Sequence, residues 1–193
     1  MAFLLIMITA TLLGGVCGIL HDQLTYGISE EYYTKFKFVQ FGLENWGLGT
    51  NIGTTATPEI SLSQPRFGVA LVGFLATWWV GLFIGIILGL VGFIHHNGKK
   101  MCKVTVKAFV ITILITVMIG IIGLAYGNLF LLSHQPSWYF PENLIDKNHF
   151  IMVGSMHNFS YFGSLFGLLI GSLFSIKQKN NEVEKSNYRN SEK

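Results

Sequence analysis

The sequence predicts an all-α integral membrane four-helix bundle, because its apolar residues are gathered into four long blocks. Hydrophobic residues make up 51% of the 193-residue chain and charged residues only 12%, about half the charged share of an average soluble domain. The mean hydropathy is +0.50. This composition excludes a disordered chain, a basic nucleic-acid-binding arm and a small secreted module held by disulfides.

Each block is long enough to cross the hydrocarbon core of a membrane, which takes about 20 residues of helix. Backbone groups cannot remain without hydrogen bonds in lipid, so each block is expected to be helical. The predicted membrane domain, 1–176, has spans at 2–20, 67–94, 104–132 and 150–176 and long loops at 21–66 and 133–149. The polar tail 177–193 is expected to be cytoplasmic and disordered.

The first block has a second interpretation, as a cleaved signal peptide. Such peptides carry positive residues before a short apolar stretch and small residues at the cleavage site. Here the first basic residue is Lys35, and the bulky pair Ile19 and Leu20 continues the apolar run up to His21. We therefore expect this block to be retained as a span.

The distribution of Lys and Arg predicts the orientation. Nine of the thirteen basic residues lie in the connection 95–107 and the tail, whereas the loops 21–66 and 133–149 hold four basic and seven acidic residues. Basic loops stay on the cytoplasmic side. Both termini are therefore expected in the cytoplasm, and the two long loops on the outer side of a bacterial inner membrane.

Glycines recur at four-residue spacing within the spans, and small residues let helix backbones approach closely in lipid. The clearest examples are Gly81, Gly85 and Gly89 in the second span and Gly163, Gly167 and Gly171 in the fourth. These stripes are expected to pack the bundle. The alternative is that the stripe 81–85–89 remains free for contact between copies of the chain.

The loop after the first span is predicted to begin with a short helix. Ser29 followed by two acidic residues is typical of a helix N-terminus, here through about Thr34. The alternation of Lys and Phe over 35–38 favours an extended segment next. Residues 42–66, rich in Gly, Thr, Asn and Ser, are expected to form a long loop, and loops of that length are usually mobile or functional.

The principal candidates for a ligand or metal site lie where the first and fourth spans meet the outer side. They are His21, Asp22, His157 and Tyr161, with weaker candidates in Glu30, Glu31, His134 and His149. His157 lies about 10 Å into its span, and Tyr161 shares its helix face. Ionisable groups at such depth usually face the bundle interior and mark function. Packing of the two spans would bring His157 beside the His21–Asp22 pair.

Three interpretations of these histidines remain open from the sequence. They could hold the loops in place by hydrogen bonds alone. They could bind a metal ion, haem or small ligand, or they could act in acid–base catalysis. The motifs HExxH, GxSxG and GxxxxGK[ST] are absent. No span carries Asp or Glu at mid-depth, which disfavours a proton-coupled transporter.

The segment from His21 to Phe38, HDQLTYGISEEYYTKFKF, resembles the pattern HDQxTYxIS…EYxTKFKF of an uncharacterised family of small bacterial four-pass membrane proteins. In that family a histidine followed by Ser-Tyr and glycines opens the last span, as His157, Ser160, Tyr161 and Gly163 do here. The resemblance implies the four-span layout and marks the same two polar stretches. It implies no activity.

Together these features favour an integral membrane protein whose outward-facing polar cap binds a small ligand, a metal ion or haem. The alternative is a structural or accessory membrane protein that docks a partner through its outer loops. A membrane-embedded enzyme using His21, Asp22 and His157 is the third and least favoured hypothesis. The expected partners are the lipid bilayer and either a second copy or another membrane protein. Nucleic acid is excluded because nothing basic interleaves with the aromatic group Trp46, Trp138, Tyr139 and Phe140 in the way that nucleic-acid binding needs.

Overall fold

Four long helices form a bundle in the computed structural model, which describes residues 1–134 and 136–191. The helices are α1 (Ala2–Ile28), α3 (Pro65–Gly92), α4 (Gly98–Tyr126) and α5 (Lys147–Ser191), and the short α2 (Phe38–Gln40) lies between α1 and α3. Four helical stretches are long and apolar enough to cross a membrane. The predicted fold class, an all-α four-helix membrane bundle, is confirmed.

The helix ends differ from the predicted spans for local reasons. Helix α1 continues past Leu20 to Ile28, because Asp22 and Thr25 are buried rather than facing solvent. Helix α3 begins at Pro65, a residue suited to the first helical position. Helix α4 begins after Asn97, whose side chain accepts a hydrogen bond from the Lys100 backbone N–H at 2.9 Å.

The tail is helical up to Ser191, so the prediction of disorder over 177–193 is wrong for the residues that the structure describes. Its many Lys, Glu and Gln residues have high helix propensity, and the preceding span supplies a helix that they only need to extend.

Helices α1 and α3 pack against each other through their glycines. A Cβ built on Gly81 would lie 2.9 Å from Gly14 Cα, and one on Gly85 would lie 2.6 Å from Ala10 Cβ. One on Gly89 would meet the Phe3 ring at 2.8 Å. The stripe 81–85–89 is thus covered within the chain, and the alternative that it remains free for contact between copies is wrong.

Helices α4 and α5 form a second close pair by the same means. Cβ atoms built on Gly163, Gly167 and Gly171 would lie 2.8–3.0 Å from backbone atoms of Thr116, Thr112 and Ala108 respectively. The Thr112 hydroxyl also donates to the Gly167 carbonyl at 3.1 Å. The bundle therefore consists of two glycine-packed helix pairs, α1 with α3 and α4 with α5.

Residues 29–64, 132–134 and 136–146 cover one end of the bundle and are called the cap here. The opposite end, with the connection 93–97, is called the turn end. In the cap, a π-helix (Tyr33–Lys37) leads into α2, and β1 (Gly49–Asn51) pairs antiparallel with β2 (Ile60–Leu62). A second π-helix (Gly127–Leu131) ends α4. One hydrophobic core joins the cap to the bundle: Tyr32, Tyr33, Phe38, Leu43, Ile60 and Leu62 of the cap pack in one cluster with Val69 and Val72 of α3 and Phe150 and Val153 of α5.

The cap confirms one local prediction and corrects two. Ser29 Oγ accepts a hydrogen bond from the Tyr32 backbone N–H at 3.3 Å, as expected at a helix start. The segment 35–38 is π-helical and α-helical rather than extended. Tyr33 and Phe38 both reach the core, which the π-helical i to i+5 spacing allows and strand alternation would prevent. The predicted loop 42–66 contains the β1–β2 hairpin.

Candidate metal centre beneath the cap

Three polar side chains meet where α1 and α5 pass under the cap. His21 and Asp22 lie on α1, and His157 lies on α5. Potential metal-ligating atoms of the three residues all lie within 4.8 Å of one another. Asp22 is 3% exposed and His157 7% exposed. The structure thus brings together three of the four principal candidates.

Both imidazoles contact the same carboxylate oxygen. Asp22 Oδ1 lies 3.2 Å from His21 Nδ1 and 3.2 Å from His157 Nε2. The two rings are nearly perpendicular, with their centroids 4.7 Å apart. This is far below the separation of about 12 Å beyond which two histidines could not share one ion.

A backbone contact determines which ring nitrogen of His157 carries a hydrogen. Its Nδ1 lies 2.9 Å from the carbonyl oxygen of Val153, and a carbonyl can only accept, so Nδ1 carries a hydrogen. The Nε2 of a neutral His157 then directs a lone pair at Asp22 Oδ1. Two acceptors at 3.2 Å need a proton or another cation between them.

The second nitrogen of His21 is also held. Its Nε2 lies 3.2 Å from the Ser160 hydroxyl, one helical turn from His157 on α5. Each imidazole therefore has one nitrogen facing Asp22 and the other fixed by a neighbouring group.

Cap residues complete the surroundings of the cluster. Tyr32 stacks on His157, with ring centroids 4.9 Å apart. Tyr33 lies close to Asp22. Burial, and to a smaller extent the negative charge of Asp22, raises the pKa of the Tyr33 hydroxyl. Lys37 is also buried; burial lowers the pKa of its ammonium, while the charge of Asp22 opposes that shift.

The second carboxylate oxygen of Asp22 is buried and has no hydrogen-bond partner among the described residues. The nearby Tyr33 hydroxyl lies 2.6 Å from Thr25 Oγ. Either hydroxyl can be the donor of this bond; when Tyr33 donates to Thr25, it has no hydrogen left for the neighbouring Asp22. A buried acceptor left without a partner costs about 1–3 kcal/mol. The carboxylate is therefore available to a further donor or cation.

A cavity of about 130 Å³ adjoins the cluster, between the two helix pairs. His21, Asp22 and His157 line one part of it, together with Tyr161, the fourth principal candidate. Tyr161 thus lies beside the site, on the cavity wall.

The weaker candidates lie outside the cluster, three of them in the cap and His149 at the start of α5. Glu31 forms an ion pair with Lys35 and accepts hydrogen bonds from the backbone N–H groups of Ile145, at 2.9 Å, and Asp146, at 2.6 Å. Burial opposes the shift, but the hydrogen bond from Lys35 and those from the two backbone groups lower the pKa of Glu31. Glu31 thereby ties the two cap segments together.

The other three weaker candidates also make local contacts outside the cluster. Glu30 accepts from the Tyr26 hydroxyl at 2.7 Å. The exposed His134 lies 3.0 Å from the Ser133 hydroxyl, and His149 lies 2.5 Å from an Asp146 carboxylate oxygen.

Sequence reasoning did not select five neighbours of the cluster as site residues, although Ser160 belongs to the motif that opens the fourth span: Thr25, Tyr32, Tyr33, Lys37 and Ser160. Helical spacing gives a signal for two of them, because Thr25 and Ser160 follow Asp22 and His157 by three residues. The other three reach the site only because the cap folds back over the bundle. No local pattern in the sequence reveals that fold.

The donor set suits a small ion better than haem. A porphyrin held by both histidines would have to lie between their rings, which are 4.7 Å apart and share Asp22. No family model, curated protein or solved structure matches this chain. The geometry and chemistry of the cluster are therefore the basis for assigning a function.

Proposed function

We propose that this protein is a multi-pass membrane protein that binds one divalent transition-metal ion through His21, Asp22 and His157. The observation that carries the proposal is the separation of 3.2 Å between Asp22 Oδ1 and each facing imidazole nitrogen. A tetrahedral ion with bonds of about 2.0 Å holds its ligand atoms about 3.3 Å apart. The two carboxylate–imidazole spacings therefore match those of ligands on one ion, and all three ligand atoms lie within 4.8 Å of one another.

The groups behind the ligands support the same assignment. Metal-bound histidines usually have their other nitrogen held by a carbonyl, carboxylate or polar group. The Val153 carbonyl does this for His157, and the Ser160 hydroxyl does so for His21. A cation bound by both carboxylate oxygens of Asp22 would also supply the partner that its Oδ2 lacks. Two histidines and one carboxylate are typical of Zn²⁺ and of non-haem Fe²⁺, with at least one coordination position left open.

The proposed location is a bacterial inner membrane, with the cap and the metal centre on the outer side and both termini in the cytoplasm. The lysines of 99–107 follow the turn-end connection, and four antiparallel spans return the end of the fourth span to that same side. The positive-inside rule then supports a cytoplasmic turn end.

Metal analysis of the purified protein tests the proposal. After removal of adventitious metal, protein in mild detergent is titrated with Zn²⁺ and, without oxygen, with Fe²⁺. We expect one equivalent to bind to the wild type and to His149→Ala, which removes an exposed histidine at the start of α5. Binding should be lost in Asp22→Asn and His157→Ala. Equal binding by the wild type and these two variants would contradict the assignment. A haem absorption band in the purified protein would also contradict it and would favour a haem site.

A second candidate function is that of an accessory membrane protein, with the cluster as a structural lock. It is favoured by the fact that the contacts of Asp22 and His21 already join α1 to α5. A protonated His157 would satisfy both of its hydrogen bonds without a metal. In that case the cap docks a membrane partner or a second copy. A wild type that binds no metal but loses stability on Asp22→Asn would favour this function.

A further inference from the structure

We propose that the cavity beside the metal centre holds the alkyl chain of a fatty acid, whose carboxylate completes the coordination of the metal. This inference rests on the proposed metal-binding function and names the ligand class for the same site. It follows from the chemistry of the cavity wall, the position of its edge and the charge of the centre.

The cavity wall is chemically apolar away from the metal centre. Six hydroxyl-bearing residues line the cavity, and two of them, Ser160 and Tyr161, lie on α5 near the metal centre. The hydroxyls of the other four each donate to a backbone carbonyl at 2.7–3.1 Å: Thr77, Thr112, Thr116 and Ser164. These hydroxyls are occupied, so the side chains mainly present methyl and methylene groups. Gly14, Gly18 and Gly81 add surfaces without side chains. An alkyl chain fits such a wall, and a polar molecule would have few partners along it.

The polar groups of the cavity are concentrated at its cap end. Asp22, only 3% exposed, lines the cavity and has a carboxylate oxygen without a hydrogen-bond partner. Three protein ligands leave a metal ion with an open position. The best occupant is therefore a molecule with one polar end and one long apolar part.

The edge of the cavity lies at the surface of the bundle. Val117 and Tyr161 line the cavity and are 49% and 38% exposed. Both lie in candidate membrane spans, so the exposed surface there faces lipid. An amphiphile could enter sideways from the bilayer without crossing water.

The charge of the metal site determines which polar head group of the ligand fits best. A divalent ion bound by Asp22 and two neutral histidines leaves a net charge of +1 in a buried site, and the ammonium of the neighbouring buried Lys37 supplies no compensating negative charge. Burying an uncompensated charge is costly. A carboxylate neutralises the site, whereas an alcohol or an ester does not. A single-chain carboxylic acid therefore fits better than its neutral analogues.

Cobalt spectroscopy tests the inference, because the visible absorption of bound Co²⁺ reports its ligands. The full-length protein is loaded with Co²⁺ in a sterol-based detergent, which carries no alkyl chain to compete, and is titrated with laurate, methyl laurate or dodecanol. We expect laurate alone to change the spectrum, at one equivalent per metal.

Two cavity-filling variants make the test specific. Ala76→Phe fills the wall on α3, and Val117→Trp fills the edge on α4. Each should retain Co²⁺ but bind laurate about tenfold more weakly, the effect of excluding about two methylene groups. Ala70→Phe is the matched control: Ala70 is on the same helix as Ala76, partly buried and outside the cavity lining.

The outcomes separate the two proposals. If the wild type binds no Co²⁺, the proposed function fails and this inference fails with it. If Co²⁺ binds but laurate leaves the spectrum unchanged, only the inference is overturned. It is equally overturned if methyl laurate acts as laurate does, or if both cavity-filling variants bind laurate like the wild type.

Discussion

His157 illustrates how a single backbone contact can determine the chemistry of a side chain. The Val153 carbonyl accepts from its Nδ1 at 2.9 Å, which directs the other nitrogen at Asp22. The same carbonyl lies four residues earlier on the same helix, so the orientation is built into α5 itself. His21 has no such internal support and depends on Ser160 of another helix. We expect the geometry of His157 to survive changes in the cap better than that of His21.

A double-mutant cycle on the two histidines separates a shared metal site from two separate anchors. In a shared site, His21→Ala or His157→Ala should each abolish tight Zn²⁺ binding, and the double variant should lose little more. Calorimetric titration of the four proteins measures this. If the histidines are independent anchors, unfolding measurements should instead show losses of about 1–3 kcal/mol each that add in the double variant.

How much of the site could be predicted depends on how far apart in the sequence the contacting residues are. Helix periodicity and span ends are local, and they sufficed to place His21, Asp22 and His157 at one level of the bundle. The stacking of Tyr32 on His157 requires the chain to reverse direction after Ile28 and fold back over the end of the bundle. Such a path depends on contacts far apart in sequence, for example Lys35 Nζ donating to the Asn143 carbonyl at 2.7 Å. No period within the sequence encodes it.

At the scale of helices, the paired packing makes opposite predictions for two glycines of α1. A Cβ on Gly14 would lie 2.7 Å from Gly81 Cα, so Gly14→Ala forces two backbones apart and should cost about 1–3 kcal/mol. A Cβ on Gly27 would have its nearest contact at 4.0 Å, with the Arg66 side chain. Gly27→Ala should stabilise the helix by up to about 1 kcal/mol. Denaturant unfolding in detergent tests the difference in sign.

Within the cap, Glu31 predicts a dependence of stability on pH. Its folded-state pKa is lowered, so its carboxylate stabilises the cap above the ordinary Glu pKa of about 4.3, and this contribution is lost as the pH falls through the folded-state pKa. Hydrogen-exchange protection of the Ile145 and Asp146 amides should therefore drop between pH 7 and pH 3.5. Glu31→Gln should reduce that drop, while the exposed control Glu44→Gln should not. An unchanged drop in Glu31→Gln would refute the role of this carboxylate.

The element predictions succeeded where one physical effect dominates. The need to satisfy backbone groups in lipid makes every long apolar block helical, so four spans followed from composition alone. The segment 35–38 failed because its alternation of Lys and Phe is typical of a strand, yet Lys35 and Lys37 are both buried through an ion pair and aromatic contacts. An alternating pattern that extends over only four residues is too weak to outweigh such tertiary contacts.

Across the whole molecule, polar contacts join α5 to the α1–α3 pair at both ends of the bundle. Asp22 and His157 make this contact beneath the cap, and at the turn end His95 Nε2 lies 3.1 Å from the Ser175 hydroxyl. Between these ends the cavity separates the α1–α3 pair from the α4–α5 pair. The glycine contacts thus hold each pair together. The polar contacts join the pairs, so the cluster of His21, Asp22 and His157 lies at a junction between them.

Cysteine labelling of intact cells tests the orientation that places this junction on the outer side. In a variant with both native cysteines replaced, Thr55→Cys in the exposed cap hairpin should react with a membrane-impermeant maleimide. Lys99→Cys at the turn end should react only after the cells are permeabilised, because the basic residues near it stay in the cytoplasm. Labelling of Lys99→Cys but not Thr55→Cys in intact cells would invert the topology and place the metal centre near the cytoplasm. A metal ion and a fatty acid would then have to reach it from inside the cell.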